Sequence, residues 1–159
     1  MGERTRVLVV DDDESIRKTL AAILEEEGYR VDTAPNGRGA IRKSKSRFYN
    51  LALIDIRLPD MEGTTLLTKM PDTTPQTRKI IITGYPSLQN AIEALNKGAH
   101  AYVVKPFDVT EVLQTIREQL KKQEEEIRFS QNKVADFIET RVRELDEATI
   151  ANEKQHRST

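Results

Sequence analysis

The chain has 159 residues, with 25 Lys and Arg against 26 Asp and Glu, and its formal net charge of -1 supplies no electrostatic reason to bind nucleic acid or an anionic membrane. The absence of cysteine excludes disulfides, thiolate metal sites and cysteine nucleophiles, and two histidines leave little for zinc chemistry. No apolar run approaches the ~20 residues that span a bilayer, and Met1-Gly2-Glu3-Arg4 lacks the apolar core of a signal peptide; the expectation is a cytosolic (cytoplasmic) protein of one domain with room for an appendage.

Val7-Leu8-Val9-Val10 reads as a buried strand ending at Asp11 and Asp12. From Asp13, read as a helix cap, Ile16, Leu20, Ile23 and Leu24 line one helical face, and Gly28 supplies a stop. Tyr29 to Thr33 alternates like a more exposed strand. Asn36-Gly37-Arg38-Gly39 faintly resembles a phosphate loop, but Arg42 fills the third-glycine position. The segment therefore reads as a turn opening a second helix, marked by Ala40, Ile41 and Phe48. A third strand is expected in the run from Asn50 to Asp55, and Leu66, Leu67 and Met70 mark a short helix that Pro71 helps to end. Ile80-Ile81-Ile82 is a strand closing on Thr83. Ser87 then opens a helix through Leu88, Ala91, Ile92 and Leu95 that stops near Gly98, and Tyr102-Val103-Val104 leads to Lys105. Five strands alternating with five helices on short connections predict a three-layer α/β fold with a parallel sheet built from right-handed crossovers.

Four of those strands finish in polar groups, and the carboxyl ends of an open parallel sheet share the edge where ligands bind. One site holding Asp11, Asp12, Asp55, Thr83 and Lys105 is therefore expected. Three crowded carboxylates repel one another unless a cation sits among them. Mg²⁺ suits such a set, since it takes one or two carboxylates and keeps water and phosphate oxygens for the rest. The Lys105 ammonium is placed to hold a phosphoryl oxygen and Thr83 to donate to another, leaving Asp55 as the natural acceptor of a phosphoryl group.

After Asp108 the pattern changes. Asp108-Val109-Thr110-Glu111 reads as a capping box, and no Gly or Pro follows it. One helix from Val109 to about Ile150 would be roughly 60 Å long at ~1.5 Å per residue. Leu113, Ile116, Leu120, Ile127 and Val134 fit an a/d-like spacing interrupted by Gln123 and Ser130. Ile127, Ile138 and Thr149 are spaced by elevens, with Val142 and Leu145 between, so a two-helix coiled coil is the expected use of the tail. From Lys121 to Thr159 eight basic residues face nine acidic ones, which is not the footprint of a DNA reader.

The residues resemble the receiver domains of two-component response regulators over about Arg6 to Leu120. The resemblance is carried by Val9-Val10-Asp11-Asp12-Asp13, by Leu53-Ile54-Asp55-Ile56-Arg57-Leu58-Pro59-Asp60-Met61-Glu62-Gly63, by Ile82-Thr83-Gly84-Tyr85 and by Val104-Lys105-Pro106-Phe107. It implies a flavodoxin-like sheet of order 2-1-3-4-5, a cis bond at Lys105-Pro106, and Asp55 as phosphoacceptor. It also implies Mg²⁺ held by Asp11, Asp12, Asp55 and the Arg57 carbonyl, Lys105 on the phosphoryl group, and Thr83 with Tyr102 as conformational switch. The implied donor is a phosphohistidine on a sensor histidine kinase or phosphotransfer protein. The implied activity is that of a switch assisting its own phosphotransfer and dephosphorylation. The resemblance covers the receiver at 1–120; the helical extension at 121–159 is expected, from its own apolar seam, to form a homodimer, or else to serve as a signalling or docking helix. The tail departs from the many relatives that continue into a DNA-binding or enzymatic domain.

Two other classes compete. A haloacid-dehalogenase-like phosphatase would use Asp11-Asp12-Asp13 as its acidic motif, yet needs a further acidic pair after the lysine, and no such pair follows Lys105 before the long helix. An unphosphorylated dimerising scaffold would be expected to lose some of the five site residues, and none is lost. His100 and His156 are isolated and read as surface residues, and the Glu25-Glu26-Glu27 and Glu124-Glu125-Glu126 runs as solvated faces.

Overall fold

The structure is a computed structural model and describes residues 4–157. Its elements are β1 (Arg6–Val10), α1 (Glu14–Glu26), β2 (Arg30–Ala34), α2 (Gly37–Ser46), β3 (Leu51–Asp55), α3 (Gly63–Lys69), β4 (Arg78–Thr83), α4 (Leu88–Asn96), β5 (Ala101–Val104) and α5 (Val109–Arg157). The strands form one parallel sheet in the order β2-β1-β3-β4-β5. No helix among the described residues is long and apolar enough to cross a membrane.

Alternation along the central strands divides the core in two. Leu8, Val10, Ala52, Ile54 and Ile81 face one way, onto Ala40 of α2, Leu66 and Leu67 of α3 and Ala94 of α4. Val7, Val9, Leu51, Leu53, Ile80 and Ile82 face the other way, onto Leu20 and Leu24 of α1 and Val112 and Ile116 of α5. Both faces of β1, β3 and β4 are thus covered, which is why these strands are near-continuous apolar runs. Each fully buried Leu or Ile contributes ~1.5–3 kcal/mol over leaving it in water.

Local signals set the helix ends. The side chains of Asp13, Asn36 and Ser87 accept hydrogen bonds from the amides of Ile16, Gly39 and Asn90, so Asp13 caps its helix as expected, and Asn36 and Ser87 cap the helices that their segments were expected to open. Gly28 closes α1 at φ +97°, a left-handed conformation that glycine adopts without strain. Phe48 is not part of the second helix: α2 stops at Ser46 and leaves Phe48 37% exposed. Its neighbour Tyr49 is the aromatic that packs, because its hydroxyl finds a partner in Asp32 Oδ2 at 2.6 Å. β4 begins two residues earlier than its apolar run, with Arg78 and Lys79 buried; Lys79 Nζ donates to Leu67 O at 3.3 Å.

The chain divides into compact units at Met1–Gln123 and Glu124–Thr159, three residues beyond the boundary expected after Leu120. Gln123 explains the offset. Read from sequence as a polar break in a seam, it is 2% exposed, and its Nε2 donates to Asn50 O and Gln76 O, both at 2.9 Å. Asn50 Nδ2 returns a bond to Gln123 Oε1 at 3.2 Å, and Asn50 Oδ1 accepts Arg6 N at 3.0 Å. Leu113, Ile116 and Leu120 likewise pack on the sheet, so the a/d-like spacing up to Gln123 serves the domain core and not a second helix. His100 also has a structural place: its Nδ1 accepts Lys79 N at 3.0 Å, while His156 lies outside the residues whose side chains are described. In the second unit Phe129, Val134, Phe137, Ile138, Val142, Leu145 and Ile150 are each more than half exposed on the helix surface.

Candidate functional site

β1 and β3 are adjacent, so the residues that follow them meet at the carboxyl edge of the sheet. Asp11 is buried, Asp55 half-buried and Asp12 exposed, and each offers an oxygen within 4.8 Å of the others. Lys105 follows β5, its amide donating to Thr83 O at 2.7 Å, and its side chain crosses β4 to the cluster. Nζ lies 2.7 Å from Asp11 Oδ2 and 3.3 Å from Asp55 Oδ2. The structure therefore brings four of the five residues expected at this edge into one cluster, and Thr83 closes β4, the strand between those that lead to Asp55 and Lys105. The Lys105-Pro106 bond is cis.

Burial raises the pKa of the Asp55 carboxyl and the Asp11 carboxylate raises it further, while Lys105 and the Arg57 amide pull the other way without cancelling the shift. For Lys105, burial disfavours the ammonium, but its bonds to Asp11 and Asp55 outweigh burial and raise its pKa. The site thus holds two facing carboxylates with one cation bridging them, and only oxygen donors for a metal. That donor set fits a hard divalent cation such as Mg²⁺. Asp13 contributes no ligand, since its side chain caps α1.

Thr83 is fully buried and its Oγ1 accepts Tyr85 N at 2.9 Å, leaving its hydroxyl hydrogen free to donate. Tyr102 pairs in register with Ile81, two residues before Thr83, so Tyr102 and Thr83 share a face of the sheet. The Tyr102 hydroxyl is buried and has no hydrogen-bond partner among the described residues. Arg57 is exposed; its guanidinium stacks 3.9 Å from the Tyr85 ring centroid, and its amide donates to Asp55 Oδ1 at 3.3 Å. Sequence reasoning gave no role to Arg17, whose Nη1 donates to Asp11 O at 2.7 Å, or to Gly63. A Cβ at Gly63 would run into the Asp55 carbonyl oxygen and lie 2.8 Å from Ile56 Cα, both backbone atoms that cannot rotate away. Gly63→Ala is expected to lower stability by ~1–3 kcal/mol, as overpacking does, seen as an earlier urea midpoint with an unchanged slope.

A sheet of order 2-1-3-4-5 with an acidic cluster where the order reverses, between β1 and β3, is a flavodoxin-like domain with its site at the topological switch point. The chain belongs to the response regulator receiver domain family, whose sequence model matches residues 7–117; receiver domains are a standard example of this strand order. Over 119 residues it is 40% identical to the transcriptional regulatory protein ZraR of Klebsiella oxytoca, covering 75% of this chain and 27% of that protein. A CheY-like receiver domain protein of Methanospirillum hungatei matches at 46% identity and TM-score 0.75, covering 78% of this chain and 99% of that one. The beryllofluoride-activated NtrC4 receiver domain dimer matches at 42% identity and TM-score 0.70, covering 74% of this chain and 98% of that one. The haloacid-dehalogenase-like reading finds no support in these matches. The chain spans about a quarter of the length of ZraR.

Proposed function

We propose that Asp55 accepts a phosphoryl group from a phosphohistidine on a sensor histidine kinase or phosphotransfer protein, and that Thr83, Tyr102 and Lys105 convert the acyl phosphate into a change of shape. The reading is carried by one observation: three strand-end carboxylates offer oxygens within 4.8 Å of one another, with the Lys105 ammonium bonded to two of them. Asp11, Asp12, Asp55 and the Arg57 carbonyl would hold Mg²⁺, which when bound supplies the positive charge that phosphoryl oxygens need. The chain's own residues do the rest. An Asp55 oxygen attacks phosphorus as the bond to the donor imidazole nitrogen breaks, and the imidazole leaves with the electron pair. Lys105 exchanges a carboxylate for a phosphoryl oxygen, and Thr83 donates its free hydroxyl hydrogen to another. Tyr102 shares its face of the sheet with Thr83, so a shift of Thr83 toward a phosphoryl oxygen would open room for the Tyr102 ring to follow.

Incubation with acetyl phosphate and Mg²⁺ followed by intact mass measurement should show one acid-labile phosphoryl adduct that chelator prevents. A chain that never acquires the adduct would fit the unphosphorylated scaffold, and an adduct indifferent to chelator would remove the metal from the proposal.

The tail is part of the same reading. Residues from Glu124 to about Ile150 would pair with a second copy as a coiled coil, because seven large apolar side chains stand exposed along this helix. Its mixed charge leads us to assign it no contact with DNA. Light scattering should report a dimer for the whole chain, with or without beryllofluoride, and a monomer for a chain ending at Gln123. A monomeric whole chain under both conditions would refute the coiled coil, and a dimeric short form would move the contact to the receiver.

A further inference from the structure

The loop between β3 and α3 is a narrow ribbon with an anchored tip. Gly63 N donates to Ile56 O at 2.7 Å, Arg57 bridges to Glu62, and Leu58 N donates to Met61 O at 3.2 Å, so residues 56–63 double back around Pro59 and Asp60. Asp60 then clasps the start of α2. Its Oδ1 accepts Gly37 N at 2.8 Å and its Oδ2 accepts Arg38 N at 2.9 Å. Beside it Met61 lies so close over Gly37 that a Cβ there would come within 2.6 Å of its Cγ. The clasp is electrostatically matched: the Gly37 amide, foremost among its causes, holds the Asp60 carboxyl below its usual pKa, as expected of an anion at a helix N-terminus. The loop bearing Asp11 and Asp12 is held separately by the end of β2, where Asp11 N donates to Ala34 O at 3.2 Å. The start of α2 thus ties down the loop bearing Arg57.

We propose that Asp60 is a positioning residue of the metal site: by fixing the ribbon tip on α2 it aims the Arg57 carbonyl at the cation held by Asp11, Asp12 and Asp55. This rests on the ligand set assigned above. A carbonyl ligand has no rotamer of its own, so its direction is the direction of the backbone, and the backbone here is held by the ribbon's pairing and its clasp. Both Asp60 carboxylate oxygens are engaged by the first amides of α2, so its role is indirect. Groups that orient a ligand without binding the metal typically change metal affinity 10–100-fold when removed.

The test is a Mg²⁺ titration of the whole chain, read by calorimetry, on four variants. Asp60→Ala should weaken Mg²⁺ binding about 10-fold or more, and Asp60→Asn, which keeps one acceptor oxygen, by less. Asn36→Ala removes the other cap of the same helix, the one accepting Gly39 N at 2.8 Å; it should lower the melting temperature while leaving Mg²⁺ affinity within about twofold of the parent. Asp12→Ala should abolish measurable binding. Parental affinity in both Asp60 variants, with binding lost in Asp12→Ala, would overturn the inference and leave the ligand assignment standing. Equal losses in Asn36→Ala and Asp60→Ala would overturn it too, by reducing Asp60 to a helix cap. Retained binding in Asp12→Ala would instead overturn the ligand set itself. Should Asp60→Ala fail to fold, Asp60→Asn decides alone.

Discussion

Asp55→Asn is expected to abolish the phosphoryl adduct completely and, in the same molecule, to raise the melting temperature of the Mg²⁺-free protein. Both effects have one origin. Burial and the neighbouring Asp11 carboxylate raise the Asp55 pKa in the folded chain. The proton is therefore bound more tightly folded than unfolded, and the stability this confers is complete below the unfolded pKa and lost as pH rises through the folded one. Once ionised, the carboxylate is a net cost to the fold, one that the proposed phosphoryl acceptance would require. Replacing it with a neutral isostere should return ~0.5–2 kcal/mol, the usual scale for relaxing a functional site. Thermal melts of both proteins at neutral pH and near pH 4 test this: the variant's advantage should shrink as the pH falls into the carboxyl range. A variant less stable than the parent at neutral pH would show that Lys105 more than compensates the Asp55 charge.

Lys105→Ala should have the opposite signature. The Lys105 side chain is 17% exposed, and those of Asp11 and Asp55 are 4% and 11% exposed. Removing the ammonium leaves two close carboxylates without their bridging cation, and breaking a mostly buried pair costs ~3–5 kcal/mol. Because its partners raise the Lys105 pKa, the contribution of this pair is fully present below the unfolded lysine pKa and is lost only as pH rises through the folded value. The defect should therefore span the whole neutral range. Mg²⁺ should repair much of it, since a ligand that binds only the folded state stabilises that state. Its affinity should rise, as Nζ no longer competes at 2.7 Å from Asp11 Oδ2. Chemical denaturation with and without Mg²⁺ gives both numbers; a variant that loses stability and Mg²⁺ affinity together would contradict this competition.

The site was legible because chemistry and grammar coincide at strand ends. Asp11, Asp55, Thr83 and Lys105 each close an apolar run, and parallel topology brings such ends to one edge whatever the helices do. Caps were legible for a similar reason, since Asp13, Asn36 and Ser87 act within three residues of themselves. What could not be read was polar burial set by distant partners. Asp60 reaches back 23 residues to Gly37, and Gln123 reaches 73 residues to Asn50; neither pairing leaves a periodic trace in the chain. Arg78 and Lys79 precede the apolar run of β4, yet Lys79 finds the Leu67 carbonyl 12 residues earlier and is buried with it. Gln123 misled because a single amide in a heptad-like run has the same appearance whether it faces a partner helix or a ring of backbone carbonyls.

That amide also bears on how such domains are recombined. A receiver exchanged between proteins must be cut somewhere along its final helix, and the apolar pattern invites a cut after Leu120, the last hydrophobic residue packed on the sheet. Gln123 places the seam three residues further on. A hybrid joined upstream of it would leave the Asn50 and Gln76 carbonyls without the side chain that seals them, and would begin life with a frayed base however well its phosphoryl site were preserved. The transferable module ends at a glutamine.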